Sequence, residues 1–278
     1  ILLCQTFFNS NEIIIEYPKD KLELIKDQNE KTSSFKAKEY LLQVVSNKKV
    51  TPLVNELSLY VPEKLNFKFL PGSHMELHDG ESGLIRKYSI LNSPDKFFNL
   101  TNNILKFLII KQKKSGLSHI IHDRITTGDL ISIKGPFLSF QYKENIKKPI
   151  IGIAGGTGIS PILSIIKHLL LKNSDLNVMI FLSVRCRNEI LEFDTLYQLK
   201  AKYKNFNFKI TLSRQSECSN NLFLLGKLES NLKKVFKDLS NHIIIISGSE
   251  GFVDYAKKNT LNTKAKDKNI FYEKFSKN

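Results

Sequence analysis

The sequence predicts a β-barrel plus an α/β unit: a six-stranded antiparallel barrel followed by a parallel sheet covered by helices. Three observations carry this. From Phe35 to about Tyr142, short extended segments are broken by turn signals such as Pro-Gly, Asp-Gly and Asn-Ser-Pro. After Lys148, apolar strand-length runs alternate with helical stretches, the rhythm of a parallel sheet buried on both faces. The 278 residues are enough for two domains of ordinary size.

Six segments make the first half: "EYLLQVVS", "ELSLYVP", "FKFLPGSHMELHDG", "LIRKYSIL", "ILKFLIIKQ" and "DLISIKGPFLSF". Strands of this length at this spacing suit a small antiparallel barrel. In the second half "PIIGIAG", "NVMIFLSVR", "NFKITLSR" and "HIIIISG" have the continuous apolar character of buried strands. Helical stretches lie among them: "PILSIIKHLLLKN", "EILEFDTLYQLKAKY", "KLESNLKKVFKDL" and "EGFVDYAKKN". The change of rhythm near "KENIKK" divides the chain into a barrel at 36–145 and an α/β domain at 146–278. Residues 18–35 are charged, lack core-type periodicity and form a linker from the short leading segment 1–17.

Composition narrows the function classes. A hydrophobic fraction of 41% with 25% charged residues describes a globular chain, and runs such as "HIIIIS" are too short for a membrane helix. The opening apolar stretch has no charged n-region or small-residue cleavage site, so the expectation is a cytoplasmic protein without membrane insertion. Three well-separated cysteines suit a reducing compartment and build no disulfide framework. The net charge of +15 fits nucleic acid, an acidic protein or polyanionic cofactors. The lysines are scattered among Asn and Ile, the pattern of solvated faces, and no nucleic-acid partner is expected.

The most informative local stretch is "PIIGIAGGTGISPILSII". An apolar strand runs into Gly155-Gly156-Thr157-Gly158, and Ser160-Pro161 is expected to open a helix, Ser160 as cap and Pro161 at the first helical position. Glycines let a ligand approach the backbone, and a helix start offers amide donors and the positive end of a macrodipole to a pyrophosphate. It is not a P-loop, because no Gly-Lys-Ser/Thr follows, and it does not match GxGxxG. Taken alone, it leaves a nucleotide cradle and a purely structural turn equally open.

A second stretch, "LIRKYSIL", carries Arg86-x-Tyr88-Ser89. Together with Gly156-Thr157-Gly158-x-x-Pro161 and the late "SGSEGFVDYAKK", in that order, the chain resembles the ferredoxin–NADP(+) reductase superfamily over roughly residues 36–278. The resemblance implies an FAD-binding barrel followed by a Rossmann-like NAD(P)-binding domain. It implies that Arg86 pairs with the FAD pyrophosphate through its guanidinium fork. Tyr88 then lies against the isoalloxazine ring, and Ser89 stands near the flavin atom that accepts the hydride. In "KKSGLSHIIHD", Ser115, Gly116, Leu117 and Ser118 correspond to a helix start whose amides bind the flavin pyrophosphate, while Ile109 and Lys111 line the flavin edge. Ser247-Gly248 stands where the family usually has Cys-Gly beside the nicotinamide, which makes Ser247 a catalytic candidate with Ser89. Phe275 corresponds to a terminal aromatic near the flavin. At the end of the second parallel strand, Arg185 is either a contact for a 2′-phosphate or the family's common arginine, so NADH and NADPH both remain, with NADH preferred.

The opening "ILLCQTFFNSNEIIIEYP" resembles the tail of a plant-type 2Fe–2S ferredoxin domain, with Cys4 in the place of the fourth cluster ligand. The three upstream ligands are missing from the sequence, so a 2Fe–2S cluster on Cys4 is expected only in a longer form of the chain. The resemblance implies an FAD-dependent NAD(P)H oxidoreductase that passes single electrons to an iron–sulfur acceptor. Its partner would be a redox protein, an oxygenase or an iron–sulfur dehydratase component. A stand-alone flavin reductase and a flavin- or nucleotide-binding module without turnover are the alternatives.

Overall fold

Strand β1 (Lys38–Thr51) turns tightly at Pro52-Leu53 into β2 (Val54–Tyr60), and Thr51 pairs Val54 across the turn. The structure, a computed structural model, describes residues 37–95, 103–112, 116–138, 140, 146–217 and 221–275. The predicted segments 1–17 and 18–35, with Cys4, and also Ser115 lie outside the described residues. The described residues belong to a single unit, Ala37–Asn278.

The chain continues through β3 (Ser73–His78), β4 (Ile85–Ser89), β5 (Ile104–Ile110) and β6 (Leu130–Leu138). The antiparallel sheet runs β4-β3-β6-β1-β2-β5. Its two edges meet: Ile90, just past β4, bridges Phe107 on β5, and the Leu91 N–H donates to the Lys106 carbonyl at 2.9 Å. That closure removes the free edges an open sheet would expose. The first strand is long enough to pair β6 with its first half and β2 with its second, and an irregularity between Val44 and Ser46 lets it bend. Alternate residues such as Leu57, Leu59, Met75, Leu77, Phe107 and Ile133 fill the interior. Helix α1 (Leu117–Asp123) adds Leu117 and Ile121 to that core.

The second sheet contains β7 (Ile150–Gly155), β8 (Val178–Val184), β9 (Phe206–Leu212), β10 (Phe223–Leu225), β11 (Ile243–Ser249) and β12 (Ile270–Phe275). Its order is β10-β9-β8-β7-β11-β12, with every pairing parallel. Alternation along β7 sorts its side chains to two faces. Ile150 and Ala154 join the core under α2 (Ile159–Lys172) and α3 (Phe193–Lys202). Ile151 and Ile153 join the core under α4 (Leu228–Val235) and α5 (Glu250–Asn262). No helix among the described residues is long and apolar enough to cross a membrane.

The predicted fold class holds, with corrections of detail. Four parallel strands were expected and six are present, because β10 is three residues long and β12, an edge strand, carries Glu273-Lys274 in place of a continuous apolar run. The second predicted helical stretch, "EILEFDTLYQLKAKY", is helical only from Phe193, after a 3-10 turn at Arg187–Glu189 and a left-handed Glu192. Ser160 does not cap α2. A 3-10 turn formed by Gly156–Gly158 leads directly into Ile159, whose N–H bonds back to Gly156 and Thr157. Pro161 therefore stands third in the helix, still inside the first turn where a missing N–H leaves no intrahelical bond broken.

Candidate functional site

The order in which strands are added to the parallel sheet reverses beside β7. From β7 the chain builds outward through β8, β9 and β10, then returns with β11 on the other side of β7. Such a switch point opens a crevice beyond the carboxyl ends of the strands, where open α/β sheets bind ligands. The glycine turn and Ser247-Gly248 meet there. A Cβ on Gly158 would lie 2.1 Å from the Ser247 carbonyl oxygen, so the turn rests directly on β11. Gly156 is left-handed, with φ +53°, and a Cβ there would meet nothing within 4 Å. One glycine is thus demanded by packing, and the other presents bare backbone to the crevice. Phe252, in the first turn of α5, packs against both Gly155 and Gly248.

Ser247 is fully buried, and its hydroxyl has no hydrogen-bond partner among the described residues. An orphaned buried hydroxyl at the crevice calls for a partner that the described residues do not supply. In register, Ser247 stands between Ala154 on β7 and Glu273 on β12. Glu273 in turn accepts a hydrogen bond from Ser89 Oγ at 3.2 Å, reaching from the end of the barrel strand β4. Both predicted catalytic serines therefore neighbour the same β12 residue, Ser89 through a hydrogen bond and Ser247 through strand register. Glu273 was missed by sequence reasoning, although it is the only acidic residue of the strand leading to Phe275. Phe275 ends that strand, half-buried, opposite Ser249. Lys274 anchors β12 to α5 through Asp254 at 2.7 Å.

On β4, alternation directs Arg86 and Tyr88 to one face and Ser89 to the other. The Arg86 guanidinium donates to the Ile85 carbonyl at 2.7 Å and forms no ion pair among the described residues. The Tyr88 ring packs on the barrel core. Burial pushes its hydroxyl up to about 12, against the opposing pull of the Arg86 charge. The Ile109 side chain is fully buried inside the barrel, and its carbonyl accepts from His122 Nε2 at 2.8 Å. Lys111 is tied to Asp123 at 2.5 Å. Gly116 precedes α1 and leaves room around its Cα, while Ser118 Oγ accepts the Gln112 N–H at 3.2 Å. The first amides of α1, Leu117 and Ser118, have no preceding carbonyl within the helix to bond.

Arg185 stands at the carboxyl end of β8, next to β7. Its guanidinium is forked onto Glu189, with Nε to Oε2 at 3.0 Å, and Glu189 also accepts the Arg185 backbone N–H. Among the described residues no three His, Cys, Asp or Glu side chains cluster as a metal site requires.

Comparison with known proteins matches both halves of the chain, in order. The oxidoreductase FAD-binding domain family matches residues 41–142, and the oxidoreductase NAD-binding domain family matches residues 153–258. The chain thus joins an oxidoreductase FAD-binding domain to an oxidoreductase NAD-binding domain. The reductase component of propane 2-monooxygenase from Rhodococcus jostii is 24% identical, over 90% of this chain and 67% of its own length. Reductase component 2 of terephthalate 1,2-dioxygenase from Comamonas is also 24% identical, over 86% of this chain and 67% of its own. The chain spans about half to two thirds of the length of such curated reductases, from 53% to 67%. Among solved structures, the cytochrome P450 reductase of Amycolatopsis has the same fold, with a TM-score of 0.78 at 18% identity, covering 87% of this chain and 71% of that one. The two cofactor domains are the antiparallel barrel and the parallel sheet that meet at the Ser89–Glu273 bond.

Proposed function

We propose that this chain is an FAD-dependent NAD(P)H oxidoreductase of the ferredoxin reductase type that moves a hydride from nicotinamide to FAD and hands single electrons to an iron–sulfur acceptor. The chemistry that FAD supplies is this conversion of a two-electron donor into one-electron steps. The observation that carries the reading is the junction at the switch point, where Gly156, Ser247 and the Ser89–Glu273 bond converge.

The chain's own groups fit that task. The Arg86 fork, without an ion-pair partner among the described residues, suits a pyrophosphate, and the Leu117 and Ser118 amides beside Gly116, which have no preceding helical carbonyl to bond, suit its second face. Tyr88 offers a ring whose hydroxyl stays protonated at physiological pH. Glu273 holds the Ser89 hydroxyl in one orientation, and the unpartnered Ser247 hydroxyl is a hydrogen-bonding group for nicotinamide. Gly156 exposes backbone to a dinucleotide pyrophosphate at the mouth of α2. Arg185 is committed to Glu189, which supports NADH over NADPH, since the 2′-phosphate loses that fork. Arg214, whose backbone N–H donates to the Arg185 carbonyl at 2.9 Å, carries no ion pair among the described residues and is the group that would favour NADPH.

Relatives that are reductase components of oxygenases support an oxygenase component as the acceptor. The odd count of three cysteines supports a cytoplasmic setting. The test is anaerobic mixing of FAD-loaded protein with NADH and with NADPH, following the visible flavin absorbance. Rapid bleaching, faster with NADH, is expected. Flavin that binds but is bleached by neither dinucleotide would leave only a binding module.

A further inference from the structure

The helix that carries the glycine turn is fastened to the barrel by polar contacts well away from the crevice. Ser164, on the second turn of α2, is fully buried. Its hydroxyl donates to the Asn92 carbonyl at 2.5 Å and accepts the Gly72 N–H at 3.3 Å. Next to it, Ile165 covers Gly72 so closely that a Cβ there would lie 2.9 Å from its Cδ1. One turn further, His168 Nδ1 bonds Asp95 Oδ2 at 2.8 Å, and Ser93 Oγ donates to the same oxygen at 2.5 Å. Asn92 is itself fixed, because its Oδ1 accepts the Lys106 N–H at 2.7 Å.

These partners flank the flavin cradle in sequence. Gly72 leads directly into β3, whose His74 pairs Ser89. Asn92, Ser93 and Asp95 follow directly on β4, which carries Arg86, Tyr88 and Ser89. On the α2 side, Ser164 lies about 12 Å along the axis from the Gly156 turn, at 1.5 Å per residue of a rigid helix. Apolar packing alone lets surfaces slide, whereas a hydroxyl that both donates and accepts fixes direction and register.

We propose that Ser164, with the His168–Asp95 bond as a second fastening, is a positioning residue for hydride transfer. The pair forms a clasp that sets the separation between the dinucleotide turn on α2 and the flavin cradle on β4. This rests on the function proposed above, and it concerns residues that touch neither cofactor.

The test uses the FAD-loaded full chain with Ser164→Ala, His168→Leu and His168→Asn, the last of which keeps an N–H donor for Asp95. Misplacement of reacting groups slows chemistry without removing binding. Ser164→Ala and His168→Leu should lower the rate of flavin reduction at saturating dinucleotide about ten- to hundredfold, with the Kd values for FAD and dinucleotide changed by less than about twofold. His168→Asn should recover most of the rate. Independently of turnover, the Gly72 amide should exchange with deuterium faster in Ser164→Ala than in the parent protein, while barrel amides keep their protection. A full rate in Ser164→Ala, unchanged Gly72 exchange, or FAD affinity lost in step with rate would overturn the clasp and leave the reductase reading intact. A parent protein reduced by neither dinucleotide would overturn the reductase reading, and the clasp's role in hydride transfer with it.

Discussion

Ser89 and Glu273 are 184 residues apart in the chain, yet a 3.2 Å hydrogen bond joins them at the crevice. The value of that bond lies in orientation, since a hydroxyl held by a carboxylate points its lone pairs elsewhere in a defined direction. Ser89→Ala should slow flavin reduction by dinucleotide about tenfold, the equivalent of one net hydrogen bond of about 1.4 kcal/mol, while FAD binding persists. Stopped-flow reduction beside a flavin titration checks this. A second residue-scale expectation concerns His74, which burial, aided by the Lys87 charge, pulls down to about 4. The unfolded imidazole takes up its proton near 6.5, so between the two values the unfolded state binds more protons than the folded one. Stability is therefore complete above about 6.5 and declines as pH falls toward about 4. His74→Phe should flatten that part of the curve, measured by urea unfolding at stepped pH.

At the scale of elements, one turn uses its glycines for opposite reasons. A Cβ on Gly158 would strike the β11 backbone 2.1 Å away, so Gly158→Ala has to displace a strand and should cost about 3 kcal/mol, the upper end of overpacking. Gly156 faces open space, so Gly156→Ala meets only the left-handed backbone penalty of about 1–2 kcal/mol. The two variants should separate cleanly. Gly158→Ala melts earlier with all functions impaired, whereas Gly156→Ala stays folded and binds FAD but holds dinucleotide weakly. Thermal melts with paired FAD and NADH titrations decide this. The edge strand β12 shows why element prediction was incomplete. Its sequence "IFYEKF" breaks into Glu273-Lys274 after three residues and lacks the continuous apolar signature of β7 or β11, because only one side of it is covered by a neighbouring strand.

For the whole molecule, the +15 charge acquires meaning only beside the proposed relay. Scattered lysines form no single stripe, yet a surface of that sign attracts an acidic redox partner at long range, and salt screens such attraction. Reduction of an acidic iron–sulfur protein should slow several-fold as salt rises from about 50 to about 500 mM, whereas reduction of an uncharged free-diffusing acceptor changes little. Equal salt dependence for both acceptors would count against charge-guided docking.

The sequence by itself determined the two-part architecture, since strand-length segments, their turn punctuation and the switch to strand–helix alternation are local patterns. Local pattern likewise exposed the glycine turn, whereas Arg86, Tyr88 and Ser89 stood out through their resemblance to a family motif. Tertiary structure alone decided which of these meet. The pairing of Ser247 with Glu273, the reach of Ser89 to that carboxylate, the commitment of Arg185 to Glu189 and the seating of Ser164 between Gly72 and Asn92 depend on strand order and helix placement. Periodicity records which face of an element is buried; it holds no information about which distant element will cover that face.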